Sequence, residues 1–140
     1  MKINNAHTLM AKALDYRALR QDLISSNIAN VDTPFYRSKD VQFEDALVKE
    51  RERLNNVPSK KLQMAVTNPM HLTGEDNDFP PKAKIFFRDG HMVRNDGNTV
   101  DLDVETTEMA KNSIMYNALV AALKKNSLIF KSVIDSSSKI

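Results

Sequence analysis

The chain has no cysteine and no tryptophan, only three glycines, and 6% aromatic residues among 140. Without cysteine there is no disulfide, no thiol nucleophile and no Cys-based zinc site. The thin supply of large apolar groups limits how much core two full layers could share. Charge of one sign is also missing. Twenty Lys and Arg stand against eighteen Asp and Glu, a net charge of +2. Such a balance gives no general pull toward nucleic acid or anionic lipid. Lys60-Lys61 and Lys124-Lys125 are short and carry no interleaved aromatics, so they read as solvated surface. No apolar run reaches the length of a membrane span. The Leu9–Leu19 stretch is broken by Lys12, Asp15 and Arg17, so no cleavable leader is expected.

Catalytic patterns are missing too. His7, His71 and His91 are far apart and have no metal-ligand spacing. His71 reads as a structural hydrogen-bonding residue. The acids Asp96, Asp101, Asp103 and Glu105, with Asn98, suggest a calcium loop only at a glance. Their glycine stands at the wrong offset for an EF-hand. There is no nucleophile elbow around Ser25 or Ser26, no phosphate-binding glycine loop and no dinucleotide fingerprint. An enzyme is not expected, nor is any metal, cofactor or catalytic residue.

What is present lies mostly at the two ends. From about Asn4 to Asn30, apolar residues recur at helical spacing: Leu9, Met10, Ala13, Leu14, Leu23, Ile24 and Ile28. No glycine or proline interrupts them. This predicts one helix of about 40 Å, long for a small domain. Ser26-Asn27-Ile28-Ala29-Asn30 closes it with two amides among apolar neighbours. Thr33-Pro34 then drives the chain out of helix, because a residue before proline favours extended backbone.

A short charged helix is expected from Val41 to Leu54, its Glu, Asp, Lys and Arg residues forming a solvated face. The centre holds all three glycines and four of the five prolines. Lys61–Val66 alternates like a short strand, and Asn68-Pro69 and Thr73-Gly74 read as turns. Asp89-Gly90 between Lys84–Arg88 and His91–Arg94 predicts a hairpin, and Asp96-Gly97 a further turn.

Helix returns from Asp103 to about Ser136, with Asp103 and Glu105 placed to favour its N-terminus. Met109, Asn112, Tyr116, Leu119, Leu123, Asn126, Phe130 and Val133 step by three and four, a coiled-coil-like seam. Ile114, Met115, Val120, Ile129 and Ile134 lie off it, so the helix needs more than one neighbour. Asn112 and Asn126 fall in the seam itself. They either face solvent or, if buried, fix the pairing register at a cost in stability. The expected fold is therefore mainly α. Long terminal helices pack as a coiled-coil-like pair around a small irregular or β centre. The segments are 1–33 (assembly helix), 34–57 (linker and charged helix), 58–102 (centre) and 103–140 (second assembly helix). The helical surface left over implies a closed hairpin or assembly with other copies.

The chain resembles the flagellar axial proteins, a superfamily of rod, hook and hook-associated subunits. The resemblance rests on Ser26, Asn27, Ile28, Ala29 and Asn30, with Thr33, Pro34 and Tyr36, followed by Val41 and Phe43. It continues through Asp96–Asp103 and Glu105 into Met109, Ala110, Asn112, Tyr116 and Asn117, and so spans nearly the whole chain. The Asp96–Glu105 segment, the short length and His71-Leu72 point to the proximal rod proteins of the basal body. One position departs: Phe35 stands where the family usually has glycine. A glycine would permit positive φ, so Phe35 implies a different turn.

The resemblance implies a structural subunit of the proximal rod, exported by the flagellar type III system without a cleaved leader. It implies polymerisation through the terminal helices in the periplasmic rod. The implied partners are other copies, other rod proteins, and proximal ring or export-gate components, with no nucleic acid and no direct membrane span. The competing class is a stand-alone helical adaptor or export-chaperone-like module, folded as a hairpin in the monomer.

Overall fold

The computed structural model describes residues 5–55, 68, 82–88 and 95–137. Within them the chain is mainly helical, with long terminal helices and a small two-stranded antiparallel sheet between them. The expected strand at Lys61–Val66, the turns at Asn68-Pro69 and Thr73-Gly74, His71, and the second arm of the Asp89-Gly90 hairpin lie outside the described residues or depend on residues that do.

Helix α1 runs Asn5–Ala29. It ends where the expected stop lies. The Asn30 amide is shared between the carbonyls of Ser26 (3.2 Å) and Asn27 (3.1 Å), and Val31 N–H donates to Ile28 O at 3.2 Å. The last turn thus tightens toward 3₁₀ geometry, Thr33 N–H still reaches Asn30 O at 3.1 Å, and Pro34 then offers no donor.

Two expectations for the next stretch are corrected. The second helix does not begin at Val41. Lys39–Gln42 form strand β1, and helix α2 covers only Glu44–Leu54. Val41 and Phe43 are buried apolar residues separated by exposed Gln42, a period-two pattern that suits a strand. The charged face of α2 is not wholly solvated either. Glu50 is buried and pairs with Lys12 of α1 at 2.8 Å and with Arg53 at 2.9 Å. Glu44 and Asp45 in the first turn of α2, and Arg51 and Arg53 in the last, complement the helix dipole.

Strand β2, Lys84–Phe87, pairs antiparallel with β1, from Lys39 opposite Phe87 to Gln42 opposite Lys84. Helix α3, Leu102–Ser137, starts one residue before the expected Asp103. Asp101, rather than Asp103, provides the cap. Its Oδ1 accepts from the amides of Asp103 (2.9 Å) and Val104 (3.3 Å).

Polar contacts set α3 antiparallel to α1, since Asn27 meets Glu105, Arg20 meets Glu108 and Arg17 meets Asn112. Among the described residues the buried apolar core is small: Ala13, Ile24, Val41, Phe43, Ala46 and Val100. Tyr16 stacks on Phe43 with ring centres 5.7 Å apart, and the Arg17 guanidinium lies over the same ring at 5.5 Å. With eleven more residues than α1, α3 is longer by about 16 Å at 1.5 Å per residue. Its distal half is correspondingly bare.

Candidate functional site

The Ser26–Tyr36 stretch closes α1 against β1, the 95–101 segment and the start of α3. Three asparagines make this junction. Asn27 is fully buried. Its Nδ2 donates to Lys39 O at 2.9 Å and to Glu105 Oε1 at 3.3 Å. Its Oδ1 accepts from Lys39 N–H at 2.9 Å and from the Tyr36 hydroxyl at 3.3 Å. All four bonding positions of the amide are used, which is what permits a polar side chain at full burial. Asn30 stays local. Its Nδ2 donates to Ser26 O at 2.8 Å, and its Oδ1 accepts from Thr33 Oγ1 at 3.2 Å.

Asn98, also fully buried, comes from the other side. Its Nδ2 shares two hydrogens among the carbonyls of Asn30 (2.9 Å), Val31 (2.8 Å) and Thr33 (2.8 Å). Its Oδ1 accepts from Val100 N–H at 2.7 Å. Two of these carbonyls also accept within the turn, Asn30 O from Thr33 N–H at 3.1 Å and Thr33 O from Tyr36 N–H at 3.3 Å, so Asn98 reinforces a turn that is already bonded. Ser26 Oγ lies 3.3 Å from the Tyr36 hydroxyl, while Ala29 and Pro34 are exposed and Ile28 is half-buried.

Phe35 overturns the expectation of a different turn. Its φ is +59°, the left-handed conformation that a glycine would favour. The turn is held by Phe35 N–H donating to Asp96 O at 3.1 Å and Tyr36 N–H to Thr33 O at 3.3 Å. The ring lies across Gly97, itself at φ +74°, where an added Cβ would stand 2.9 Å from Phe35 Cδ1. Gly97 therefore has two reasons to lack a side chain.

Beside the amides lies a charge cluster. Arg88 donates to Glu105 Oε1 at 2.8 Å and to Asp40 Oδ2 at 3.1 Å. Arg20 donates to the same Asp40 oxygen at 3.0 Å and to Glu108 Oε2 at 3.3 Å. Two guanidinium groups thus tie α1, β1, the residue after β2, and α3 together. Burial pushes the Glu105 carboxyl up from its ordinary value, against the pull of the Asn27 and Arg88 bonds. Its second oxygen is buried without a hydrogen-bond partner. The hydrogen bond from Lys111 holds Glu108 below the ordinary value.

The proposed seam of α3 divides into two parts. Asn112 is 3% exposed. Its Nδ2 donates to Arg17 O and Gln21 Oε1, both at 2.9 Å. Met109, Leu119, Leu123 and Asn126 are half-buried, and Asn126 Nδ2 has no hydrogen-bond partner. Tyr116, Phe130 and Val133 are exposed, together with Ile114, Met115, Leu128, Ile129 and Ile134.

Arg20, Asp40, Arg88 and Asn98 were not singled out as junction residues in the sequence. Only the buried Asn98 had a visible signal, its place in the Asp96–Asp103 segment. Among the described residues, no group of three or more His, Cys, Asp or Glu side chains is placed to hold a metal ion. The arrangement closes a helix end and joins four elements.

A family model described as flagella basal body rod protein matches residues 10–37, all but the first five residues of α1 and the junction turn. Full-length likeness extends further. The flagellar basal body rod protein FlgB of Escherichia coli (strain K12) is 35% identical over 122 residues, 87% of each chain. FlgB of Bacillus subtilis (strain 168) is 36% identical over 121 residues, 85% of this chain and 86% of that protein. FlgB of Yersinia ruckeri is 36% identical over 115 residues, 82% of each.

Proposed function

Because the chain belongs to the FlgB family of flagellar basal body rod proteins, we propose that it is a proximal-rod subunit that polymerises through its terminal helices. Family membership makes it a structural component of the flagellar basal body rod, not an enzyme. One observation carries the finer reading. The distal half of α3 leaves Leu128, Ile129, Phe130, Val133 and Ile134 exposed over two turns. The described residues offer these side chains no cover, and contiguous apolar surface of this kind marks an interaction face.

In this reading the helical ends order fully only against neighbours. Burial in the assembly, at about 25 cal/mol per Å² of apolar area, offsets the conformational entropy lost. The neighbours are other copies and other rod proteins, with ring and export-gate components at the membrane-proximal end. The subunit reaches the periplasmic rod through the flagellar type III system, with no leader removed. Among the described residues no helix is long and apolar enough to cross a membrane.

The test replaces Ile129 and Val133 together by Asp. The variant keeps the helical content of the parent but is lost from purified basal bodies, and its cells are non-motile. Recovery of the variant in basal bodies at parental levels would show that this face is not the assembly surface. An adaptor that works as a closed monomer would leave no chain in the purified rod at all.

A further inference from the structure

We infer that Arg88 makes the β1–β2 sheet conditional on the docking of α3, so that seating the start of α3 on α1 and ordering the strands are one coupled step. The inference goes beyond the rod-subunit reading and does not depend on it. The sheet has little of its own to hold it. Each strand has four residues, and the two lie more than forty positions apart in the chain. A two-stranded pair is at best marginal in water, and closing so long a loop adds an entropic cost. All four residues of β2 are exposed, so apolar burial along it offsets little of that cost.

Among the described residues, the polar anchor of β2 is the residue that follows it. Arg88 N–H donates to Ser38 O at 2.9 Å, and its guanidinium reaches Asp40 Oδ2 of β1 at 3.1 Å. The shortest of its bonds runs to α3, where Nη1 donates to Glu105 Oε1 at 2.8 Å. Glu105 is 1% exposed, and a charge-assisted bond held away from water is a strong one. The same Oε1 accepts from Asn27, whose amide holds the Lys39 backbone of β1. One carboxylate oxygen of α3 therefore supports β1 through Asn27 and β2 through Arg88.

Charge balance gives the coupling its sign. Arg20 and Arg88 converge on one Asp40 oxygen, at 3.0 and 3.1 Å. With α3 seated, Glu105 and Glu108 offset the second guanidinium, and Glu108 also takes Lys111. With α3 lifted away, both acids leave and two cations face one carboxylate, so Arg88 and β2 are pushed off. The reverse holds too. If β2 detaches, Glu105 is left buried without its cation, which disfavours the seated α3. Such coupling is reciprocal, each event raising the equilibrium constant of the other by the same factor. A chain whose α3 start is not seated thus does not present Ile85, Phe86 and Phe87 as an ordered exposed face.

Hydrogen exchange followed by mass spectrometry on the purified full-length chain tests this, since exchange reports local opening. Asn112→Leu removes bonds to Arg17 and Gln21 and loosens α3 from α1 about two turns past Glu105, without touching the sheet. It is expected to speed exchange in residues 84–88 at least about fivefold, the lower end of ordinary coupling. Helix α2, fastened to the first half of α1 by Glu50 and Lys12, keeps its parental rate. Arg88→Gln keeps the helical content and speeds exchange in residues 106–108 by a similar factor. In the Arg88→Gln background, Asn112→Leu then adds less than about twofold at 84–88, because the link is already cut. Unchanged exchange at 84–88 in Asn112→Leu, or at 106–108 in Arg88→Gln, overturns the inference. So does an equal rise in α2, which would mark a general loss of stability, and so does a full Asn112→Leu effect that persists without Arg88. A parent whose residues 84–88 exchange as fast as an unstructured peptide overturns it as well.

Discussion

Asn27 grips the backbone of Lys39 with both ends of its amide, donating to the carbonyl and accepting from the N–H at 2.9 Å each. The side chain of a helix thereby stands in for a neighbouring strand along one residue of β1. Asn27→Leu preserves the volume but strands both Lys39 groups, while the Tyr36 hydroxyl keeps Ser26 Oγ at 3.3 Å. An unsatisfied buried group costs about 1–3 kcal/mol, so a total loss of about 2–4 kcal/mol is expected. Urea denaturation of the monomer measures it. Asn27→Asp keeps the acceptor and loses the donors, while bringing a carboxylate toward Glu105. It is therefore expected to be milder in acid than at neutral pH. A Leu variant with the parental midpoint would show that the amide is dispensable.

The two seam asparagines are expected to behave oppositely. Asn112→Leu removes the bonds to Arg17 O and Gln21 Oε1 and leaves a helical carbonyl and a side-chain amide under an apolar group. A loss of about 1–3 kcal/mol follows. Asn126→Leu removes a buried Nδ2 that has no hydrogen-bond partner among the described residues. The monomer is expected to gain stability, because an unbonded buried amide is itself unfavourable. Thermal melts of the two variants against the parent decide this, and equal destabilisation by both would contradict it.

Acid dependence separates Glu50 from Glu105. The hydrogen bond from Arg53, aided by Lys12, holds the Glu50 carboxyl down at about 2, against an ordinary 4.5. The folded state binds this proton less readily than the unfolded chain does. Its contribution is complete above pH 4.5 and lost as the pH falls toward about 2. Glu105 has the opposite sign. Burial raises its value, so the folded state favours the proton, and stability from this group declines as pH rises through the folded value. Glu50→Gln is expected to flatten the acid limb of the stability profile. Glu105→Gln is expected to stabilise at neutral pH, with the advantage vanishing in acid. Urea midpoints from pH 2 to 8 test both, and parallel profiles for the two variants would refute the assignment.

The terminal helices were legible because their signal is local. An uninterrupted apolar repeat and a Thr33-Pro34 stop specify a helix and its end without reference to anything distant. The strand over Lys39–Gln42 was not legible. Four residues beside a charged helix carry too little pattern, and their pairing partner lies more than forty positions away. The positive φ of Phe35 was misread for a related reason. Intrinsic preference argues against it, but the Asp96 carbonyl and the bare face of Gly97 hold the turn from across the fold.

The sequence by itself therefore determined two long helices, a stop after Asn30, apolar surface in excess of one partner and, through the Ser26–Tyr36 motif, a family. Those properties follow from residue type and short-range spacing. The tertiary structure decided which polar groups could be buried. Asn27, Asn98, Glu50, Glu105 and Asn112 are ordinary surface residue types until distant elements bring them their partners. Burying an amide or carboxylate is unfavourable until bonds offset it, and most of the bonds made here join residues that the chain order keeps far apart, although one oxygen of Glu105 stays unbonded.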